Sequence, residues 1–226
     1  LSSPETSRQG NYFGIAGMAI AMIVTFLSVG NFESGFLYVL LFLIIGGSVG
    51  AFIAFRIPMT AMPELVAGFH SLVGLAAVFV AIAAFLNPSA FNLGEVGNIK
   101  LASLIEMSLG AAIGAITFSG SIIAFLKLRG IMSGAPITFK GQHFINLLLG
   151  FTILFFIYYL CATQTSNIFW SLIIISFLVG VLLIIPIGGA DMPVVISMLN
   201  SYSGWAAAGI GFTLENTALI ITGALV

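Results

Sequence analysis

The sequence predicts an all-α fold, a polytopic bundle of about eight transmembrane helices in this chain. Three observations carry that prediction. The chain is 60% hydrophobic and only 6% charged, with a mean hydropathy of +1.22. A soluble domain has about 25% charged residues, so this composition cannot cover a water-facing surface. The apolar runs are long and unbroken, near the roughly 20 residues that a helix needs to cross a bilayer, and the alternating segments of a barrel are absent. The connections between the runs are too short to hold a soluble domain.

Taken in chain order, the spans are expected at 12–29, 36–55, 63–86, 100–126, 144–162, 168–187 and 192–212. They are separated by "GNFES", "RIPMTAMP", "NPSAFNLGEVGNI", "KLRGIMSGAPITFKGQH", "ATQTSN" and the loop that opens on Gly188. After "TLEN" an eighth run, 217–226, begins and stops at Val226. At about 1.5 Å per residue it is too short to cross. The expectation is a single transmembrane domain over 1–226 whose last helix is cut and whose native chain continues. The chain starts on Leu1 with no signal-peptide pattern, so the start also reads as trimmed. No internal repeat is evident.

Several function classes are excluded. The net charge is −1, which leaves no basic footprint for nucleic acid. The single cysteine, Cys161, forms neither an internal disulfide nor a metal cluster. There is no GxGxxG after a strand, no P-loop, no CxxC and no HExxH, so neither a cofactor nor a metal is expected on this chain.

Orientation follows from the cations. Arg8, Arg56, Lys127, Arg129 and Lys140 fall on the side that holds the N-terminus, and only Lys100 falls on the other. The positive-inside rule makes the first side the cytoplasm, or the matrix of a mitochondrion.

Ionisable groups within spans are costly and mark functional candidates. The third span holds His70, the fourth Glu106 and Ser121, and the seventh Asn200. From the helical rise, His70 lies about 10 Å, Ser121 about 9 Å and Asn200 about 13 Å from the N-terminal side, so three polar groups on three spans share a level. Glu106 lies about 9 Å in from the opposite side. In the fourth span Ser103, Glu106, Gly110, Gly114, Thr117 and Ser121 fall on one helical face. Ser197, Asn200 or Ser201, Gly204, Ala208 and Gly211 do so in the seventh. Ala67, His70 or Ser71, Gly74, Ala77 and Ala81 do so in the third. Small residues let helices approach closely. The expected arrangement is three helices packed on these faces with a titratable line between them. A histidine changes charge near neutral pH, so the line suits a proton route.

Structural readings stand beside these. His70 could bond a neighbouring carbonyl, Asn200 could tie two helices together, and Ser121 could be ordinary packing. Asp191 and Glu64 open spans, where a carboxylate also suits a helix N-terminus. Lys127 and Arg129 could serve topology alone.

The stretch "GGADMPVVISMLNSYSGWAAAGIGF" with "ALIITGALV", together with "ETSRQGNYFGIAGMAIA", "MTAMPELVAGFHSLVGLAAV" and "GAITFSGSIIAFLKLRG", resembles the membrane domain of the β-subunit of proton-translocating nicotinamide nucleotide transhydrogenases. The resemblance spans nearly the whole chain. It implies one more helix before "ETSRQGN", a longer final helix, and then an NADP(H)-binding domain on the same polypeptide. It implies partners as well: α-subunit membrane helices and an NAD(H)-binding domain, in a homodimer in the bacterial or mitochondrial inner membrane. The activity implied is hydride transfer from NADH to NADP⁺ coupled to inward proton translocation, with this chain non-catalytic by itself. By motif, His70 carries the proton, Asn200 and Ser121 are its channel partners, and Asp191 lies at the mouth facing the NADP(H) domain. Glu106 extends the route. Glu64, Lys127 and Arg129 belong with the mouth and the docking surface. The loop "NPSAFNLGEVGNIK" is less like the family. The alternatives are a secondary transporter or channel for a small solute, or a bare membrane anchor. Against the transporter, no repeat is evident and only Pro193 and Gly188–Gly189 offer a weak helix break.

Overall fold

The computed structural model describes residues 4–28 and 35–226. Leu1–Ser3 and most of the expected first connection lie outside the described residues. The chain forms two compact units, Leu1–Ile57 and Pro58–Val226, each taken by itself.

The first unit is a pair of helices, α1 (Pro4–Ser28) and α2 (Phe36–Arg56). α1 starts well before the expected residue 12, because "PETSRQGN" continues the helix as about two polar turns. No residue of α2 is buried within the unit, as suits a helix whose apolar surface faces lipid. Phe26 and Phe36 meet edge to face at 6.0 Å near the connection. The Arg56 guanidinium sits 4.4 Å over the Phe52 ring, a cation–π contact at the helix end where positive charge is favoured.

The second unit holds α3 (Met62–Leu86), α4 (Leu101–Leu128), α5 (Gln142–Thr163), α6 (Ser166–Ile184), α7 (Met192–Thr213) and α8 (Thr217–Leu225). Among the described residues six helices are long and apolar enough to cross a membrane: α1 to α6. α7 is equally long but more polar, and α8 is short. Proline places two starts, since Pro63 and Pro193 lie in the first turns of α3 and α7, where their missing N–H costs nothing. Pro186 places a stop. The sixth span was expected to run to 187 but ends at Ile184, because a proline cannot donate into the helix ladder.

α4 is the centre of this unit. In its most apolar window 61% of residues are buried, against 39% in α3 and α6 and 11% in α5. Hydrophobic burial alone does not associate helices within lipid, so close backbone packing must do so. The α3–α4 crossing shows how. A Cβ on Gly74 would lie 2.6 Å from the Gly114 carbonyl oxygen, and one on Gly114 would lie 2.8 Å from that of Gly74. Only two glycines permit that approach. Buried Phe85 stacks on Phe169 at 4.2 Å and ties α3 to α6.

The connection from α3 to α4 is a small antiparallel hairpin, β1 (Gly94–Glu95) and β2 (Asn98–Ile99), with Gly94 opposite Ile99. Gln164, at the end of α5, holds it. Its amide accepts from the Ile99 N–H at 2.8 Å and donates to the Ile99 carbonyl at 3.1 Å, as a third strand would.

Candidate functional site

His70 lies one turn N-terminal to Gly74 on α3, and Asn200 lies near the middle of α7. Separated by 130 residues in sequence, they are joined by a contact of 2.7 Å between His70 Nε2 and Asn200 Oδ1. The other ring nitrogen, Nδ1, donates to the Val66 carbonyl one turn back, at 2.6 Å. Both groups are half-buried. The ring borders a cavity of about 260 Å³ between α3, α7 and α8, also lined by Phe69, Ser203 and Thr222. Ser203 and Thr222 escape a search for ionisable residues. Their signal in the sequence is only a hydroxyl at helical spacing from Asn200 or within the last helix. Ser203 donates to the Asn200 carbonyl at 2.6 Å, and Thr222 to that of Ala218 at 2.7 Å.

Ser121 is fully buried, and its hydroxyl has no hydrogen-bond partner among the described residues. That is unusual on this helix. Ser108, Thr117 and Ser119 all donate to a carbonyl one turn back. Thr117 faces Gly74, and Ser121 follows it by one turn in the direction that leads from Gly74 to His70 on antiparallel α3. Ser121 therefore shares the level of His70 by register but is not bonded to it.

Glu106 is placed elsewhere. It lines a larger cavity, about 670 Å³, with Ser201 and Trp205 of α7 and Gly223 of α8. The expected continuous line from Glu106 to His70 is thus divided between two cavities. The reason is the packing of α7. Its stripe of small residues does not close on α4, which α7 meets instead through Gly209, where an added Cβ would lie 3.2 Å from the Gly110 Cα, while Asn200 of that stripe reaches His70 on α3. Gly204 and Gly211 lie against α8, where a Cβ on Gly204 would come within 2.7 Å of the Gly223 carbonyl oxygen.

The groups assigned to the mouth also separate. Asp191 precedes α7 and is exposed, and its carboxylate makes no capping bond. Glu64 and Arg129 pair with each other at 3.1 Å, joining the start of α3 to the end of α4. Lys127 is not a surface group. It is 4% exposed, and its ammonium donates to the carbonyls of Ile185 and Ile187 at 2.7 Å each and of Ala135 at 3.4 Å. The break at Pro186 leaves the first two without helical donors, so Lys127 completes the end of α6. The Gly189 N–H also donates to the Gly134 carbonyl, at 2.7 Å, and the two loops before Asp191 become one plate. No group of three or more metal-ligating side chains occurs among the described residues.

Chemically, the centre offers one imidazole, an amide that can donate or accept, and nearby hydroxyls. It can hold and pass a proton and has no nucleophile–base pair for covalent chemistry. The family model described as NAD(P) transhydrogenase beta subunit matches residues 1–226. Two sequences of NAD(P) transhydrogenase subunit beta from Rhodospirillum rubrum are each 56% identical over 226 residues, covering 100% of this chain and 48% of those proteins. The chain thus spans about half the length of the curated relatives it matches.

Proposed function

We propose, because the chain belongs to the NAD(P) transhydrogenase beta subunit family, that it is the proton-conducting part of that enzyme's membrane component. In this reading protons cross by way of His70, and their inward passage drives hydride transfer from NADH to NADP⁺ in soluble domains. The NADP(H)-binding domain follows Val226 on the same native polypeptide. The NAD(H)-binding domain and further membrane helices come from an α-subunit, and the whole enzyme is a homodimer. This chain binds neither nucleotide and carries no hydride chemistry alone. Its N-terminal side is the cytoplasm or matrix of a bacterial or mitochondrial inner membrane.

The observation that carries the proposal is the His70–Asn200 contact. A titratable ring held between two helices at membrane depth is expensive, and such groups serve ion and proton pathways. The unpartnered hydroxyl of Ser121 at the same level supplies a further polar step. Glu106 in its larger cavity serves the opposite side. Asp191, on the plate held by Lys127, faces the NADP(H) domain, with Glu64 and Arg129 beside the same mouth.

The test is proton uptake in liposomes holding the complete enzyme, followed with an internal pH dye while NADH reduces NADP⁺. His70→Gln keeps a polar side chain but cannot titrate. It is expected to lower coupled uptake by about a hundred-fold or more. Uptake at the wild-type rate in that variant overturns the proposal.

A further inference from the structure

The two contacts of His70 differ in what they permit. The Val66 carbonyl can only accept, and it belongs to the helix ladder of α3, one turn from the ring that it holds at 2.6 Å. Nδ1 must therefore carry a hydrogen as long as this contact stands. The Asn200 amide is different, because it carries an acceptor, Oδ1, and a donor, Nδ2, on one carbon. A half-turn about the Cβ–Cγ bond exchanges them.

Oδ1 faces Nε2 at 2.7 Å. That arrangement serves the charged ring, whose Nε2–H donates to Oδ1. When the ring is neutral with its hydrogen on Nδ1, the Nε2 lone pair would face the Oδ1 lone pairs at the same distance. A neutral ring with its hydrogen on Nε2 instead turns a bare Nδ1 toward the Val66 carbonyl, which is no better. A lone-pair clash between two half-buried groups forfeits a hydrogen bond on both sides. The backbone carbonyl cannot turn away. The amide can, since it borders an open cavity of about 260 Å³, and the hydroxyl hydrogens of Ser203 and Thr222 are committed to the backbone carbonyls of Asn200 and Ala218.

No second titratable group relieves this. On α4 the candidates are Glu106, in the other cavity, and Lys127, held by three carbonyls. On α7 they are Asp191, exposed at the helix start, and Tyr202, which lines a pocket with Ile113 and Leu183. α8 has none, and on α3 itself Glu64 is paired with Arg129.

We infer that His70 takes up and releases protons at Nε2 alone, and that the Asn200 amide turns over with each change in the charge of the ring. The inference rests on the proton-conducting reading of His70. In the uptake step the Nε2 lone pair forms a bond to the incoming proton. In the release step the same N–H bond breaks and leaves its electron pair on Nε2. The Nδ1–H bond is unchanged throughout. The ring is thus a single-ended carrier rather than a wire from one nitrogen to the other. Asn200 is a positioning residue with two settings, Oδ1 toward the charged ring and Nδ2–H toward the neutral one.

The test is nitrogen NMR of isotope-labelled histidine in the complete enzyme in lipid vesicles, with the His70 signals identified by their loss in His70→Gln. Titration to the neutral form is expected to leave Nδ1 protonated and Nε2 bare. A neutral ring protonated at Nε2 overturns the inference. Coupled uptake gives a second arm. Asn200→Asp, as a carboxylate, can accept but has no hydrogen to give the neutral ring, and it is expected to lower uptake as far as Asn200→Leu, by about a hundred-fold. Wild-type uptake in Asn200→Asp overturns the inference. The two readings fail separately: wild-type uptake in His70→Gln removes the proton-conducting reading, whereas an inert His70→Gln with Nε2–H in the neutral wild-type ring removes only the single-ended carrier.

Discussion

Lys127 donates to the carbonyl of Ile187 at 2.7 Å across 60 residues, and the same ammonium holds Ile185 and Ala135. One side chain near the end of α4 therefore completes the end of α6 and fixes the loops that lead to Asp191. Lys127→Met is expected to lower stability by about 1–3 kcal/mol, because the half-buried Ile187 carbonyl loses its ammonium donor and that of Ile185 keeps only the Ile137 N–H. Lys127→Arg should recover part of that loss. Thermal unfolding in detergent measures both, and a Met variant as stable as wild type contradicts the role assigned to this lysine.

The α3–α4 crossing makes a different prediction. A Cβ on Gly74 would overlap the Gly114 carbonyl, at 2.6 Å, and that backbone cannot yield. Gly74→Ala is expected to destabilise by about 1–3 kcal/mol, as overpacking does. Gly150 on α5 has nothing within 4 Å of the same point. Gly150→Ala should be neutral, or stabilising by up to about 1 kcal/mol. Midpoints of denaturation for the two variants, measured side by side, check the contrast.

Ser121 separates stability from function. Its buried hydroxyl has no partner among the described residues, so Ser121→Ala removes an uncompensated polar group and should leave stability unchanged or raise it by about 1 kcal/mol. On the proposed function the same change slows coupled proton uptake. Lowered stability, read from thermal unfolding, would mean that the hydroxyl has a partner in the folded protein.

The hairpin of the α3–α4 connection offers a local readout. Gln164 gives Ile99 both a donor and an acceptor. Gln164→Leu should release the Ile99 N–H and quicken its hydrogen exchange, at a cost of about 1–3 kcal/mol. Gln164→Glu keeps an acceptor for that N–H and should exchange more slowly than the Leu variant. Equal exchange in all three proteins would show that the clamp does not protect the hairpin.

The sequence by itself determined the helices and the shared level of His70 and Asn200. Hydropathy gives the long runs, prolines 63, 186 and 193 set three ends, and a fixed rise per residue converts sequence position into depth. Those are one-dimensional properties of the chain, and they suffice to bring His70 and Asn200 to one level. Only the tertiary structure decided which faces meet. Beyond Asn200 the small-residue stripe of α7 looked ready to close on α3 and α4 but packs on α8, because Gly223 admits Gly204 at backbone distance, and α7 meets α4 through Gly209 instead. Glu106 consequently opens to a different cavity from His70. Lys127 reads as a topology signal or a docking charge until the fold brings loop carbonyls of two other segments to its ammonium. Partner choice depends on the direction a helix face points and on what stands opposite it, and a spacing pattern along one helix carries no information about either.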